Sequence, residues 1–109
     1  MAAPARMGAP AYGADPETAR ILLRIGAIGA RLDPPFTFTS GWASPVYVDV
    51  RRLISYPAER RHVIAAAGQA LGCAPGQAPF DAVAGGETAG IPYAAWLAEA
   101  CALPMLYVR

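Results

Sequence analysis

The first sustained pattern of apolar positions begins after Asp15. Ile21, Leu22, Ile25 and Ile28 recur at helical spacing, Asp15 stands where an N-cap belongs, Pro16 suits the first helical position and Gly29 lies near the end. A helix of about three turns is expected there. Pro34-Pro35 then interrupts the chain, and the alternation Phe36-Thr37-Phe38-Thr39 predicts a strand that runs into a Ser40-Gly41 turn. After Ser44-Pro45, the β-branched and aromatic run Val46-Tyr47-Val48-Asp49-Val50 predicts a return strand antiparallel to the first, so that residues 36–49 read as a hairpin. Pro57 opens a second helix that Gly72 ends. Val63, Ile64, Ala67 and Leu71 give it an apolar side, with Glu59, Arg60 and Arg61 in its first turns.

The remaining third has a different rhythm. Phe80-Asp81-Ala82-Val83-Ala84 is a short apolar run that leads directly into Gly85-Gly86-Glu87-Thr88-Ala89-Gly90, and Pro92 starts a helix reaching about Cys101. Leu103 to Val108 is another apolar strand, and a parallel return across one helix is the right-handed βαβ unit. Parallel strands are covered on both faces and occur in sheets of several strands, whereas this pattern supplies two. The expectation is therefore the N-terminal fragment of a larger domain.

Composition narrows the classes. The 109 residues are 55% hydrophobic and 16% charged, and mean hydropathy is +0.30, a balance that favours a packed core over a solvated disordered chain. Nine Arg against eight Asp plus Glu leave +1 at pH 7, which offers no basic field for holding a phosphate polymer, so no nucleic-acid partner is expected. There is no Lys and no Asn, while Ala occurs 25 times. We read that as the codon bias of a GC-rich genome, and Ala-rich stretches carry correspondingly little weight. Residues 1–14 contain Pro4 and Pro10 and lack the continuous apolar run of a signal peptide; they are expected to form a loose tail. No run of ~18 apolar residues is present to cross a membrane. Cys73 and Cys101 lack the CxxC spacing of a metal or redox site, and His62 is the single histidine, so the reading is a reduced, cytoplasmic protein without a zinc set.

Three groups of residues are candidates for chemistry. The glycines at 85–90 follow a strand and precede a helix, which lets the backbone approach a ligand and directs a helix N-terminus at an anion; the alternative is a plain flexible connection. The loop is neither a Walker sequence nor a GxGxxG fingerprint. In the hairpin, Thr39, Ser40, Ser44 and Tyr47 supply hydroxyls and an aromatic face suited to a flat polar ligand, against the alternative that Phe36, Phe38 and Tyr47 simply face the core. Arg109 follows the carboxyl end of a parallel strand, the edge where open α/β sheets bind ligands, and a guanidinium suits a pair of phosphate oxygens. Arg51, Arg52, Arg60 and Arg61 read as a solvated face or an oligomer contact, and His62 as structural. No Ser/His/Asp or Cys/His set is present for covalent catalysis.

Two stretches, FTFTSGWASPVYVDVRRLISYP at 36–57 and DAVAGGETAGIPYAAWLAEACALPMLYVR at 81–109, together resemble the orotate phosphoribosyltransferases, type I phosphoribosyltransferases. The resemblance implies an α/β fold: the N-terminal half of a type I phosphoribosyltransferase, with a hood hairpin (15–57) and the start of a parallel, Rossmann-like sheet (58–109), truncated after Arg109. It implies transfer of ribose 5-phosphate from phosphoribosyl pyrophosphate to orotate, with Mg²⁺ carried by phosphoribosyl pyrophosphate, in a cytoplasmic homodimer. Tyr47 and Val48 are implied to flank orotate. Thr39, Thr88, Ala89 and Arg109 are implied to bind phosphoribosyl pyrophosphate, although Thr39 stands where many members carry a Lys and Thr88-Ala89 where some carry Tyr-Lys. The family's Lys-rich catalytic loop and the turn that cradles the 5-phosphate follow the YVR motif and are absent here. The expectation is thus that these 109 residues alone do not catalyse the reaction, and that no catalytic or metal-ligating residue lies among them.

Two other readings remain open at this point: a noncatalytic binding or regulatory module built on the same fold, and a phosphoribosyltransferase for another base. The SGxxSPxYxD pattern at 40–49 argues against the latter, because that hood suits orotate.

Overall fold

A computed structural model describes residues 15–109, and the loose tail expected at 1–14 lies outside the described residues. Along the chain come α1 (Pro16–Arg24), β1 (Ile28–Ala30), β2 (Phe36–Thr37), β3 (Ala43–Ser44), β4 (Val46–Val48), a 3₁₀ turn at Val50–Ser55, α2 (Pro57–Ala70), β5 (Val83–Gly86), α3 (Gly90–Cys101) and β6 (Met105–Val108).

The first helix starts as its sequence dictates and stops sooner. Asp15 caps it by accepting from the Glu17 amide at 3.3 Å and the Thr18 hydroxyl at 2.6 Å. Gly26, at φ +74°, turns the chain left-handed, and the Ala27 amide donates to the Leu22 carbonyl at 2.8 Å while Gly26 donates to Leu23 at 3.1 Å. This is a Schellman closure, which releases Ile28 and Gly29 from the expected helix into β1. There they pair antiparallel with β4, Ile28 opposite Val48 and Ala30 opposite Val46.

That pairing corrects the expected hairpin. The return strand opposite β2 is the two-residue β3, with Phe36 opposite Ser44 and Thr37 opposite Ala43. Pro45 has no amide to donate to a continuing ladder, and its carbonyl instead accepts from the Arg31 amide at 2.7 Å. Beyond Pro45 the chain changes partner and β4 joins β1.

The βαβ unit stands as expected, with β5 and β6 parallel and Val83 opposite Met105 through Gly86 opposite Val108. The strand lies later than its apolar run: Phe80–Ala82 stay outside it, and Gly85 and Gly86, read as loop, belong to it. The reason is packing. A side chain at Gly85 would meet the Gly90 carbonyl oxygen and lie 2.7 Å from the Ala94 Cβ, so glycine is what lets β5 run flush against α3.

Buried side chains fall in two groups. Ile21, Ile25, Ala27 and Leu53 form a cluster against which Leu22, Val63 and Tyr93 pack, and Ala94, Ala98 and Cys101 form a buried stripe at helical spacing on α3. Tyr93 links the groups by donating its hydroxyl to the Val50 carbonyl. Arg60 donates to the Ile54 carbonyl at 2.6 Å and stacks 4.5 Å over the Trp96 ring. His62 fits its structural reading, since its Nε2 lies 2.8 Å from Asp15 Oδ2 and ties α2 to the start of α1. The cysteines depart from theirs: Cys73 and Cys101 are joined, with Cα atoms 5.6 Å apart across 28 residues of sequence. Spacing along the chain gave no hint of this, because their meeting is a product of how α2 and α3 pack.

Two outcomes follow from these contacts. Gly85→Ala forces a methyl group into the β5–α3 contact and should lower stability by about 1–3 kcal/mol, whereas Gly86→Ala, whose added carbon meets nothing within 4 Å, should stay within about 0.5 kcal/mol; urea midpoints at constant slope measure both. The hydrogen bond from Thr18, then that with His62, holds the Asp15 carboxyl below its ordinary range. Its contribution is therefore present above the unfolded-state value and disappears as pH falls through the lower folded-state value. Melting temperature followed from pH 6 downward should drop less steeply at the acid end for Asp15→Asn than for the parent chain.

Candidate functional site

Two cavities collect most of the candidate residues. The first lies where β5 and β6 end. Past Gly86 the chain makes a turn, its Glu87 amide donating to the Val108 carbonyl at 2.9 Å and its Thr88 carbonyl accepting from the Ile91 amide at 3.2 Å. The Glu87–Thr88 peptide is cis. Ala89 occupies the N-cap of α3 without any side-chain cap; the Ile91 amide is taken by the Thr88 carbonyl and Pro92 has none, so it is the helix dipole that favours an anionic ligand there.

Glu87, Thr88, Ile91, Tyr107 and Arg109 line a cavity of about 430 Å³ at this point. Thr88 and Arg109, separated by a whole helix in sequence, thus face one space because parallel strands end on the same side. Among the described residues Arg109 has no carboxylate partner within 4 Å. A hydroxyl donor, the positive end of a helix dipole and a guanidinium around one hollow can hold a phosphate group from several sides. Ala89 borders this arrangement through the backbone and does not line the cavity with its side chain.

The second cavity, about 660 Å³, opens over the hairpin. Three aromatic rings wall it: Tyr47 stands 5.7 Å from Phe36 and 6.1 Å from Phe38 between ring centres, with both contacts tilted as ring quadrupoles prefer. Thr37, Thr39 and Ser40 bring hydroxyls to its rim, and Arg31 brings a cation. The Arg31 guanidinium lies 4.4 Å above the Phe36 ring, and its Nε donates to the Pro34 carbonyl at 2.8 Å. Ser44 turns away, donating its hydroxyl to the Val46 carbonyl at 2.8 Å. Val48 neighbours Tyr47 on β4, where successive side chains point to opposite faces, and it does not line the cavity.

Tyr47 is also fixed from behind. Arg51 Nη2 donates to its hydroxyl at 3.4 Å, and Arg51 Nε donates to Asp49 Oδ1 at 2.8 Å. That hydrogen bond holds the Asp49 carboxyl below its usual range and raises Arg51. Arg51, read from sequence as a solvated face or an oligomer contact, is thereby a partner of the aromatic wall.

Of the residues singled out from sequence, the structure brings Thr88 together with Arg109, and Thr39 and Ser40 together with Tyr47. Thr39 shares the aromatic cavity and not the one that contains Arg109. Arg31, Phe36 and Phe38 were either unassigned or read as possible core. Glu87, Ile91 and Tyr107 were not singled out at all. Tyr107 is placed by its register opposite Gly85 across the βαβ unit, which only the folded chain shows. Arg31, in an irregular segment, carried no periodic signal.

No family model matches the chain. The chain is 53% identical over 91 residues to the orotate phosphoribosyltransferase of Sinorhizobium medicae, a match that covers 84% of the chain and 39% of that protein. It is also 53% identical over 92 residues to the orotate phosphoribosyltransferase of a Cereibacter sphaeroides strain, covering 40% of it. Among solved structures, UMP synthase from Leishmania donovani superposes with a TM-score of 0.72 at 32% identity over 89% of the chain and 20% of that protein. Orotate phosphoribosyltransferase from Aeropyrum pernix superposes with a TM-score of 0.64 at 32% identity, covering 84% of the chain and 52% of its counterpart. The chain therefore spans well under half the length of the curated relatives it matches, and over that span its mixed helix and strand architecture is theirs.

Proposed function

Because this chain belongs to the orotate phosphoribosyltransferase family, we propose that it supplies the substrate-binding part of an enzyme transferring ribose 5-phosphate from phosphoribosyl pyrophosphate to orotate, giving orotidine 5-phosphate and pyrophosphate in pyrimidine synthesis. The observation that carries the reading is the convergence of Thr88, the uncapped start of α3 and Arg109 on one cavity at the carboxyl ends of two parallel strands.

In this reading the segment 15–57 is the hood and 58–109 the start of the core. Tyr47, with Val48 beside it on β4, flanks the flat pyrimidine, and Asp49 and Arg51 keep the Tyr47 ring upright. Thr88, the backbone at Ala89, and Arg109 hold the pyrophosphate, and Thr39 contributes a hydroxyl to phosphoribosyl pyrophosphate from the hood side. At the reacting carbon, N1 of orotate forms its bond as the bond to pyrophosphate breaks, and negative charge gathers on the departing oxygens. A guanidinium and the positive end of the α3 dipole facing those oxygens stabilise that charge without a covalent intermediate.

Mg²⁺ belongs here to the substrate, arriving on the pyrophosphate oxygens. Among the described residues no three His, Cys, Asp or Glu side chains gather as a metal set, and Glu87 is the one carboxylate lining the Arg109 cavity. We place no general acid, general base or nucleophile within the 109 residues, and read the working protein as a cytoplasmic homodimer that takes neither nucleic acid nor membrane as a partner. Among the described residues no helix is long and apolar enough to cross a membrane.

The test is a calorimetric titration of the folded chain with magnesium phosphoribosyl pyrophosphate and, separately, with orotate. Saturable binding of the former, weakened about tenfold or more by Arg109→Ala through loss of a charge-assisted hydrogen bond, is expected. Orotate binding should weaken about tenfold in Tyr47→Ala, and the 109-residue chain should form no orotidine monophosphate. Phosphoribosyl pyrophosphate binding unchanged by Arg109→Ala would overturn the assignment of this cavity.

A further inference from the structure

The contact between the C-terminal ends of α2 and α3 takes no part in substrate binding as read above, and it carries its own chemistry. Both helices end in the same way. Gly72, at φ +67°, closes α2 while the Cys73 amide donates to the Gly68 carbonyl at 2.9 Å. Ala102, at φ +52°, closes α3 while the Leu103 amide donates to the Ala98 carbonyl at 2.9 Å. Each end is thus a fixed backbone motif with a cysteine built into it. The Cα atoms of Cys73 and Cys101 lie 5.6 Å apart, inside the range that a disulfide spans without backbone movement.

The two cysteines differ in exposure. Cys101 is 1% exposed and completes the buried stripe of α3, whereas Cys73 is half-buried on the turn after α2. A small thiol or disulfide therefore reaches Cys73, and Cys101 is placed to resolve whatever forms there. Among the described residues there is no other cysteine with which either could exchange. The helix pair is already joined elsewhere, by Arg60 stacked on Trp96, so the sulfurs close a contact that the fold makes without them.

We propose that Cys73 and Cys101 form a reversible dithiol–disulfide site, oxidised by a small-molecule disulfide of the glutathione type, whose closure locks the end of α2 to the end of α3. The Cys73 thiol loses its proton to solvent and its sulfur attacks one sulfur of glutathione disulfide, expelling one glutathione thiolate. The Cys101 sulfur, on losing its own proton, attacks the mixed disulfide at Cys73 and expels the second. The protein gives up two electrons and two protons, and two glutathione thiols are produced. A reducing thiol pool reverses both steps, in keeping with the transient, redox-sensing character of most disulfides in reducing compartments. The closed link ties two points 28 residues apart and restricts the unfolded chain more than the folded one.

The experiment takes the full chain, equilibrates it with reduced or oxidised glutathione under native conditions, alkylates free thiols after unfolding, and reads the intact mass without reductant. After glutathione disulfide, a monomer two hydrogens lighter with no alkyl group is expected. After reduced glutathione, two alkyl groups are expected. The oxidised chain should melt higher, by on the order of 10 °C, and Cys73→Ser should melt at the same temperature in both buffers. A doubly alkylated chain after glutathione disulfide, glutathione adducts that never resolve, or equal melting temperatures in the two states would each overturn the proposal. The doubly substituted Cys73→Ala, Cys101→Ala chain, which should respond to neither buffer, separates a redox effect from one of altered packing.

Discussion

The close approach of β5 to α3 at Gly85 sets the geometry of everything downstream of it. With no side chain between strand and helix, the Gly90 carbonyl and the Ala94 methyl group lie against the strand itself, and the helix begins as soon as the turn at 87–89 is complete. A larger residue would push α3 outward and move its N-terminus away from the strand ends. The loop therefore owes its shape to a packing requirement just before it, and β6, parallel to β5 and in register with it, brings Arg109 to the same side.

The other half of the molecule obeys a different constraint. Its strands are two or three residues long, too short to supply much ladder energy, and its buried cluster rests on Leu53, delivered by a 3₁₀ turn and fully enclosed. What the strands lack, side-chain hydrogen bonds to backbone oxygen provide. Arg31 reaches the Pro34 carbonyl, Arg52 the Gly26 carbonyl at 3.0 Å and Arg60 the Ile54 carbonyl. The planar guanidinium can serve a carbonyl with one edge and an aromatic face with its plane, as Arg31 and Arg60 both do.

The elements most legible in the sequence were those that local chemistry specifies. Asp15 and Pro16 open α1, Pro57 opens α2, and the βαβ order of the last third follows from run lengths and glycines. The misreadings share one cause: they needed knowledge of a partner remote in the chain. Ile28 has helical spacing and strand surroundings, and the left-handed turn at Gly26 decides between them. Val46 to Val48 reads as a strand in any case, but whether it pairs with Phe36 or with Ile28 depends on Pro45 breaking one ladder and β1 offering another. The same holds for the sites. Arg109, Thr39, Ser40 and Tyr47 could be named because their residue types fit the chemistry at a turn or strand end, and Thr88 through the family resemblance of its loop. Arg31 and Tyr107 reach their cavities only through tertiary packing.

The dependence of the aromatic hairpin on arginine–carbonyl bonds has a thermal consequence. Apolar burial loses driving force on cooling, whereas charge-assisted hydrogen bonds do not share that heat-capacity signature. The helix–strand layer around Ala94 and Ala98 is held by close apolar packing, and the segment around Arg31 and Phe36 by polar anchoring. Cooling therefore weakens the apolar packing around Ala94 and Ala98 more than it weakens the arginine–carbonyl bonds around Arg31.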